Sequence, residues 1–187
     1  MRHVRGVLFL DYVRMLRSQK SVDWKQWLFP QDVAYLVAKI DPDGWYPMET
    51  FERMGNEILR TIAQGQLHVV QLWGRHSAGQ LAVANPTLLT PGDPIETLTR
   101  FHTLRQTFFD FPALEIPVLR DDEAQVIVHY HMGMPAEQAA ACQTLGFFEG
   151  LVTLAGATVT SSSLVERSWD DGERTLFRVT WSRSRMN

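Results

Sequence analysis

Apolar residues recur at helical spacing through the first half of the chain. The clearest case follows Pro47, where Phe51, Met54, Ile58 and Ile62 are separated by three and four residues. Similar spacing predicts further helices over 7–16, 24–40 (interrupted near Pro30), 67–84 and 94–109, with a strand over 6–10 as the alternative for the first. The first half of the chain is therefore predicted to be mostly helical.

The second half alternates between apolar and polar residues, as strands with one buried face do. Residues 126–131 alternate in this way, with a partner strand predicted over 115–119. Pro135 is predicted to open a helix, and a second hairpin is predicted over 158–181. The order hairpin, helix, hairpin predicts a four-stranded antiparallel sheet with a backing helix, and hence an α+β fold. We expect one domain over 1–187, with a helical part over 1–110 and a sheet-and-helix part over 111–187.

Composition limits the classes of function. The 187 residues carry 18 basic and 21 acidic side chains, a net charge of −3, which argues against a nucleic-acid-binding surface. The single cysteine, Cys142, excludes an internal disulfide framework and a cysteine-based zinc site. No apolar run approaches the roughly 18 residues of a membrane span, so we expect a cytoplasmic protein. The unusual feature is the aromatic content, with 6 Trp, 10 Phe and 4 Tyr.

Several short motifs follow one another along the chain: Gly6, Tyr46-Pro47, Leu72-Trp73-Gly74, His102, Phe111-Pro112 and His129-Tyr130. Their order resembles that of the haem-NO-binding (H-NOX) superfamily, whose relatives include the vinyl-reductase-type sensor domains and TRAPP-type trafficking subunits. Within or near that group, the chain most resembles a myxobacterial paralogous family of unknown function. The resemblance implies a helical part packed on a sheet-and-helix part, and a bacterial sensor or interaction module rather than an enzyme.

The same resemblance raises the question of haem. Haem-binding members carry a proximal histidine close to the position of His102, and a Tyr-x-Ser-x-Arg motif that holds the propionates. Here Tyr130 is kept, but Met132 and Met134 stand at the serine and arginine positions. The resemblance therefore implies that haem has been lost and that the chain has no cofactor. His102 is then interpreted as a histidine at the edge of a packed helix face.

Other candidate sites are weaker. His129 and His131 share one face of the predicted strand, but a metal site needs a third ligand. Nothing in the sequence brings the available side chains of His76, Asp121 and Glu123 to them, so we predict no metal. No nucleophile has a recognisable base beside it in a known motif, so we predict no catalytic residues.

The favoured hypothesis is a non-catalytic signalling or scaffolding module. It would bind a small apolar ligand or a protein partner, with a homodimer as one form of partnership. The candidate ligand-binding residues around the cavity that the resemblance implies are Trp73, His102, Tyr130, Met132 and Met134. A haem-based gas sensor with His102 as the proximal ligand is the first alternative, and an enzyme of unrecognised type is the least favoured.

Overall fold

The computed structural model describes residues 1–183 of the chain, which contain six α-helices and six β-strands. The helices are α1 (Gly6–Ser18), α2 (Pro30–Val37), α3 (Met48–Thr61), α4 (Leu67–Ala84), α5 (Pro94–Arg105) and α6 (Ala136–Leu154), with a short 3₁₀ helix over Trp24–Gln26. The strands are β1 (His3–Arg5), β2 (Trp45–Pro47), β3 (Leu114–Arg120), β4 (Glu123–Val128), β5 (Ala157–Glu166) and β6 (Thr175–Arg183). This content confirms the predicted α+β class.

The chain forms two compact units. The first comprises residues 1–66 with 106–111, and the second comprises 67–105 with the chain from 112 onward. A single domain with a boundary near residue 110 remains a prediction.

Aromatic stacking organises the first unit. Phe9 of α1 stacks on Tyr46 of β2 with ring centroids 4.5 Å apart, and Tyr12 stacks on Phe51 of α3 at 4.1 Å. Such pairs stabilise by about 0.5–1.5 kcal/mol beyond the area they bury. The aromatic residues of this half of the chain therefore fix α1 against α3 and the β1–β2 ribbon.

A buried carboxylate links α2 to α3 in the same unit. Asp32 is fully buried, and it accepts hydrogen bonds from Arg53 Nε (2.6 Å) and the Thr50 hydroxyl (2.8 Å). Because an isolated buried carboxylate is strongly disfavoured, these donors are what make the position tolerable.

The second unit contains the four-stranded antiparallel sheet, in the order β3-β4-β6-β5. Helix α6 packs against it, with Phe148 in an edge-to-face contact with Phe177 of β6 at 5.3 Å. The predicted arrangement of hairpin, helix and hairpin is confirmed.

Two predicted boundaries are wrong because long-range contacts intervene. Helix α5 ends at Arg105 rather than near Phe109, since Phe109 forms a β-bridge with Val4. Strand β4 ends at Val128 rather than continuing to His131, which adopts a left-handed conformation (φ 51°) that an extended strand does not allow.

Helices α4 and α6 approach each other unusually closely. A Cβ atom on Gly74 would lie 2.0 Å from the Gln143 carbonyl oxygen, and one on Gly146 would lie 1.9 Å from the Gln71 carbonyl oxygen. Helix α4 of the same chain therefore covers the glycine-bearing face of α6.

Hydrogen bonds to a buried carboxylate also connect α4 to α6. Glu149 of α6 is 3% exposed and accepts from Arg75 Nε (2.6 Å), from Gln71 Nε2 (2.9 Å) and from the Ser162 hydroxyl of β5. Burial alone would raise the pKa of Glu149, but the hydrogen bonds from Arg75, Ser162 and Gln71 outweigh it and lower that pKa. The network thereby joins α4, α6 and the sheet.

Among residues 1–183, no helix combines the length and the apolar character needed to cross a lipid bilayer.

Candidate functional site

Helix α5 carries the histidine that the sequence singled out, and its start follows simple capping rules. Pro94 occupies the first turn, where a missing N–H costs little, and the Asp93 carboxylate accepts from the Glu96 backbone N–H at 3.1 Å. The Glu96 carboxylate accepts from Arg100 Nε, one turn further along the helix, at 2.8 Å.

Aromatic packing fixes α5 on α6. Phe101 lies 4.8 Å from the ring of Phe147 and 5.5 Å from that of Phe148, the latter edge to face. The next residue, His102, is therefore held on a rigid helix. Its side chain is half-buried, and within residues 1–183 its imidazole makes no hydrogen bond or ion pair. Its ring nitrogens are accordingly available to a ligand.

A buried polar relay begins three residues further along α5. Arg105 is 6% exposed, and its Nη2 donates to the Tyr130 hydroxyl oxygen at 2.5 Å. The Tyr130 hydroxyl is also 2.9 Å from Thr144 Oγ1, and Thr144 Oγ1 in turn donates to the Ala140 carbonyl at 2.8 Å. Because the Thr144 proton is committed to that carbonyl, Tyr130 donates to Thr144 and accepts from Arg105.

The relay places a positive charge in the interior of the second unit. Burial lowers the pKa of the Arg105 guanidinium, and the contact with Tyr130 opposes that shift. A guanidinium nevertheless stays protonated in proteins, so Arg105 is a buried cation. It lies beside Tyr130, the residue that the motif comparison had already singled out.

The remaining predicted site residues are spread over two further segments. Trp73 lies half-buried on α4, and Met132 lies half-buried in the loop before α6, where its backbone N–H donates to Glu137 at 2.8 Å. Met134 is 53% exposed. No hydrogen bond or ring contact within residues 1–183 joins Trp73, His102 and Met134 to one another. Their grouping as one ligand-binding site remains a prediction.

The two strand-end histidines lie close together. The rings of His129 and His131 are 5.9 Å apart between centroids, and His129 Nε2 is 3.2 Å from a Glu115 carboxylate oxygen. The described part of the chain has no group of three or more His, Cys, Asp or Glu side chains placed to hold a metal ion. The absence of a metal remains a prediction.

Sequence reasoning missed Arg105 and Glu149, two buried charged residues on helices of the second unit. A signal for Arg105 was present, because residues three apart lie on the same side of a helix and Arg105 follows His102 by three. No comparable local signal marks Glu149, whose partners come from α4 and β5.

Comparison with known proteins supports the fold. No protein-family model and no curated protein matches the sequence. Among solved structures, the Fe(II) unliganded H-NOX protein from K. algicida has a TM-score of 0.67 at 13% identity, with 98% of this chain and 99% of that chain covered. An oxygen-binding H-NOX domain related to soluble guanylate cyclases, in its oxygen complex, has a TM-score of 0.62 at 14% identity, covering 96% and 95%. An H-NOX structure concerned with haem distortion has a TM-score of 0.63 at 14% identity, covering 98% and 97%. The chain has an H-NOX-like fold.

These neighbours correct one expectation from the sequence. The prediction that the chain has no cofactor is wrong. The structures that share its fold over nearly their whole length include an Fe(II) protein, an oxygen-binding domain and a protein in which haem distortion was probed. The loss of a motif serine and arginine was not sufficient grounds for excluding haem.

Proposed function

We propose that this chain is a non-catalytic, ligand-sensing domain that binds haem through His102 and responds to a small diatomic gas. The observation that carries the proposal is the availability of the His102 imidazole. It is held on a rigid helix of an H-NOX-like fold without a hydrogen-bond or ion-pair partner within residues 1–183.

The donor types in the second unit fit the chemical requirements of haem. Haem iron needs a nitrogen ligand, which the His102 imidazole would supply. The propionates need hydroxyl and cationic donors, and Tyr130 would donate its hydroxyl to one only by giving up its hydrogen bond to Thr144. The thioethers of Met132 and Met134 cannot donate hydrogen bonds, so the cationic donor must come from another part of the chain.

When bound, haem would supply an iron centre with an open coordination position for a gas molecule. The role of the protein would be to hold that centre and to limit access of water to it. His102 would position it from α5, whose packing on α6 through Phe101 keeps the imidazole in one place.

A sensor also needs an output. We propose that the signal leaves through contact with a protein partner or a second copy of this chain. The strands at the two edges of the sheet, β3 and β5, offer unpaired backbone groups of the kind that a second chain can use. Sedimentation of the protein with and without haem would detect self-association directly.

Absorbance spectroscopy tests the haem proposal. Protein expressed with added haem precursor should purify with a Soret band, and His102→Ala should lose the band or shift it. Added imidazole should restore the original band to the variant, because a free imidazole can occupy the position of the missing side chain. His76→Ala, which alters an exposed histidine on α4, is the matched control and should leave the spectrum unchanged.

Two results would contradict the proposal. One is a wild-type protein that takes up no haem under any supply. The other is a His102→Ala variant whose spectrum matches the wild type. Protein that instead co-purifies with an apolar ligand would favour the hypothesis of a different small-molecule sensor.

A further inference from the structure

Helix α4 packs one side against α6 and leaves apolar side chains on the opposite side. Its three buried residues line the side toward α6, where Gly74 approaches the Gln143 carbonyl. On the opposite side, Leu72 is 51% exposed and Val83 is 83% exposed. Since an α-helix has 3.6 residues per turn, Leu72, Gly79 and Val83 fall on one line along the helix. This line, called the outer seam below, faces away from α6.

The outer seam lies on a helix with almost no charge. Helix α4 contains no Asp, Glu or Lys among its 18 residues, and its one arginine, Arg75, donates from Nε to the Glu149 carboxylate at 2.6 Å. The shorter helix α3 carries five charged residues over Met48–Thr61. A helix with one buried face normally carries charged and polar residues on its other face. The outer seam therefore has no charge with which to attract a charged partner, and none with which to repel a copy of itself.

Gly79, in the middle of the outer seam, has no packing role within its own chain. Glycine destabilises a helix interior relative to alanine. An added Cβ atom at Gly79 would meet nothing within 4 Å, whereas at the other five glycines in helices of residues 1–183 it would lie 3.2 Å or less from an atom of the chain. Because a missing Cβ lets another backbone come close, this position suits the crossing point of a second helix.

We propose that α4 pairs with α4 of a second copy of this chain, antiparallel, so that Leu72 of each copy packs against Val83 of the other. The two residues are eleven positions apart, about three helical turns, and so lie on the same side of the helix. A two-fold axis midway between them forms both contacts at once and sets Arg75 against the uncharged Gln80 of the other copy. The inference rests on the proposed function only for its role as the output, since the contact itself does not require haem.

Sedimentation equilibrium of the full chain, from low micromolar to near millimolar concentration, tests the pairing. The wild type should show a monomer–dimer equilibrium. Leu72→Glu and Val83→Glu should each raise the dissociation constant by roughly tenfold or more, because each copy would bury a carboxylate against an apolar side chain. Both residues are exposed in the single chain, so these variants should keep their fold, which circular dichroism verifies. Gly79→Ala should also weaken association, although it removes a helix-destabilising glycine from the monomer.

A double variant tests the register. Leu72→Glu combined with Val83→Lys should restore association, because the carboxylate of each copy then meets the ammonium group of the other. Within one chain the two positions are about 16 Å apart along the helix axis, too far for the new charges to pair internally. Val37→Glu is the matched control, because Val37 is a valine of α2 that is 86% exposed. It should leave the dissociation constant unchanged.

A wild type that stays monomeric over the whole concentration range would overturn the inference. So would full association of Leu72→Glu, a double variant that stays monomeric, or an equal loss in Val37→Glu and Val83→Glu. The Soret absorbance of the same samples reports on haem separately. Protein that takes up haem but never dimerises overturns this inference alone, and protein that dimerises but takes up no haem overturns the haem proposal alone.

Discussion

Replacing Gly74 by alanine should destabilise the protein, although alanine is the better helix former. A Cβ atom at this position would lie 2.0 Å from the Gln143 carbonyl oxygen and 2.8 Å from the Phe147 backbone nitrogen. Contacts below 3.0 Å are essentially never made by real Cβ atoms. Helices α4 and α6 would therefore have to separate locally by about 1 Å, and close packing does not absorb such a shift freely.

The expected magnitude follows from two opposing terms. Overpacking a well-packed contact costs about 1–3 kcal/mol, and the upper end applies here because both contacted atoms belong to backbone that cannot rotate away. Replacing a glycine by alanine in a helix interior stabilises the helix by about 1 kcal/mol. The net change in the free energy of unfolding should be a loss of about 2 kcal/mol.

The same helix offers a control of opposite sign. Gly79 also lies within α4, but a Cβ atom there would meet nothing within 4 Å. Gly79→Ala should therefore gain up to about 1 kcal/mol from helix propensity alone. Urea unfolding followed by tryptophan fluorescence measures both variants, with linear extrapolation to water. A Gly74→Ala protein as stable as the wild type, or one stabilised like Gly79→Ala, would refute the close approach of α4 and α6.

Three further predictions concern buried polar groups. Because the pKa of Glu149 is lowered in the folded protein, its contribution to stability is present above its unfolded pKa of about 4.3 and is lost as the pH falls through the folded value. Glu149→Gln should thus be less stable at neutral pH and should show a flatter loss of stability on acidification in urea titrations, and an unchanged acid slope would count against the network. Arg53→Ala should lower the free energy of unfolding by about 3–5 kcal/mol, because it leaves the fully buried Asp32 carboxylate without its cation. Asp32→Asn should lower it less, since Arg53 is 29% exposed and its guanidinium can be solvated by water. Urea unfolding curves that rank the two variants in the reverse order would contradict this. Burial raises the pKa of the Cys142 thiol, so a thiol reagent should label the native protein far more slowly than the urea-unfolded protein, and equal rates would show that the thiol is accessible.

Helices and hairpins of this fold were predictable because their signals are local. Helix α4 spans Leu67–Ala84 as expected, and β6 (Thr175–Arg183) forms the second strand of the hairpin that was predicted over 158–181. The spacing of apolar residues shows which face of a helix or strand is buried, whichever element it packs against. The predictions were wrong at the ends of elements, where contacts with a distant segment determine the last residue. Phe109 pairs with Val4 rather than extending α5, and no feature near residue 109 encodes that partner.

The candidate site was harder to predict for a physical reason. A sequence motif assigns a hydrogen-bond donor to a position in the chain, but a ligand requires only that the donor arrive at a position in space. Met134 lies where the related motif has arginine, and its side chain is 53% exposed. Arg105 comes from a different element and lies against Tyr130 in the interior. Absence of the motif arginine therefore did not establish absence of a buried cation beside the tyrosine. The prediction of no cofactor relied on positions in the motif and did not consider residues from other elements.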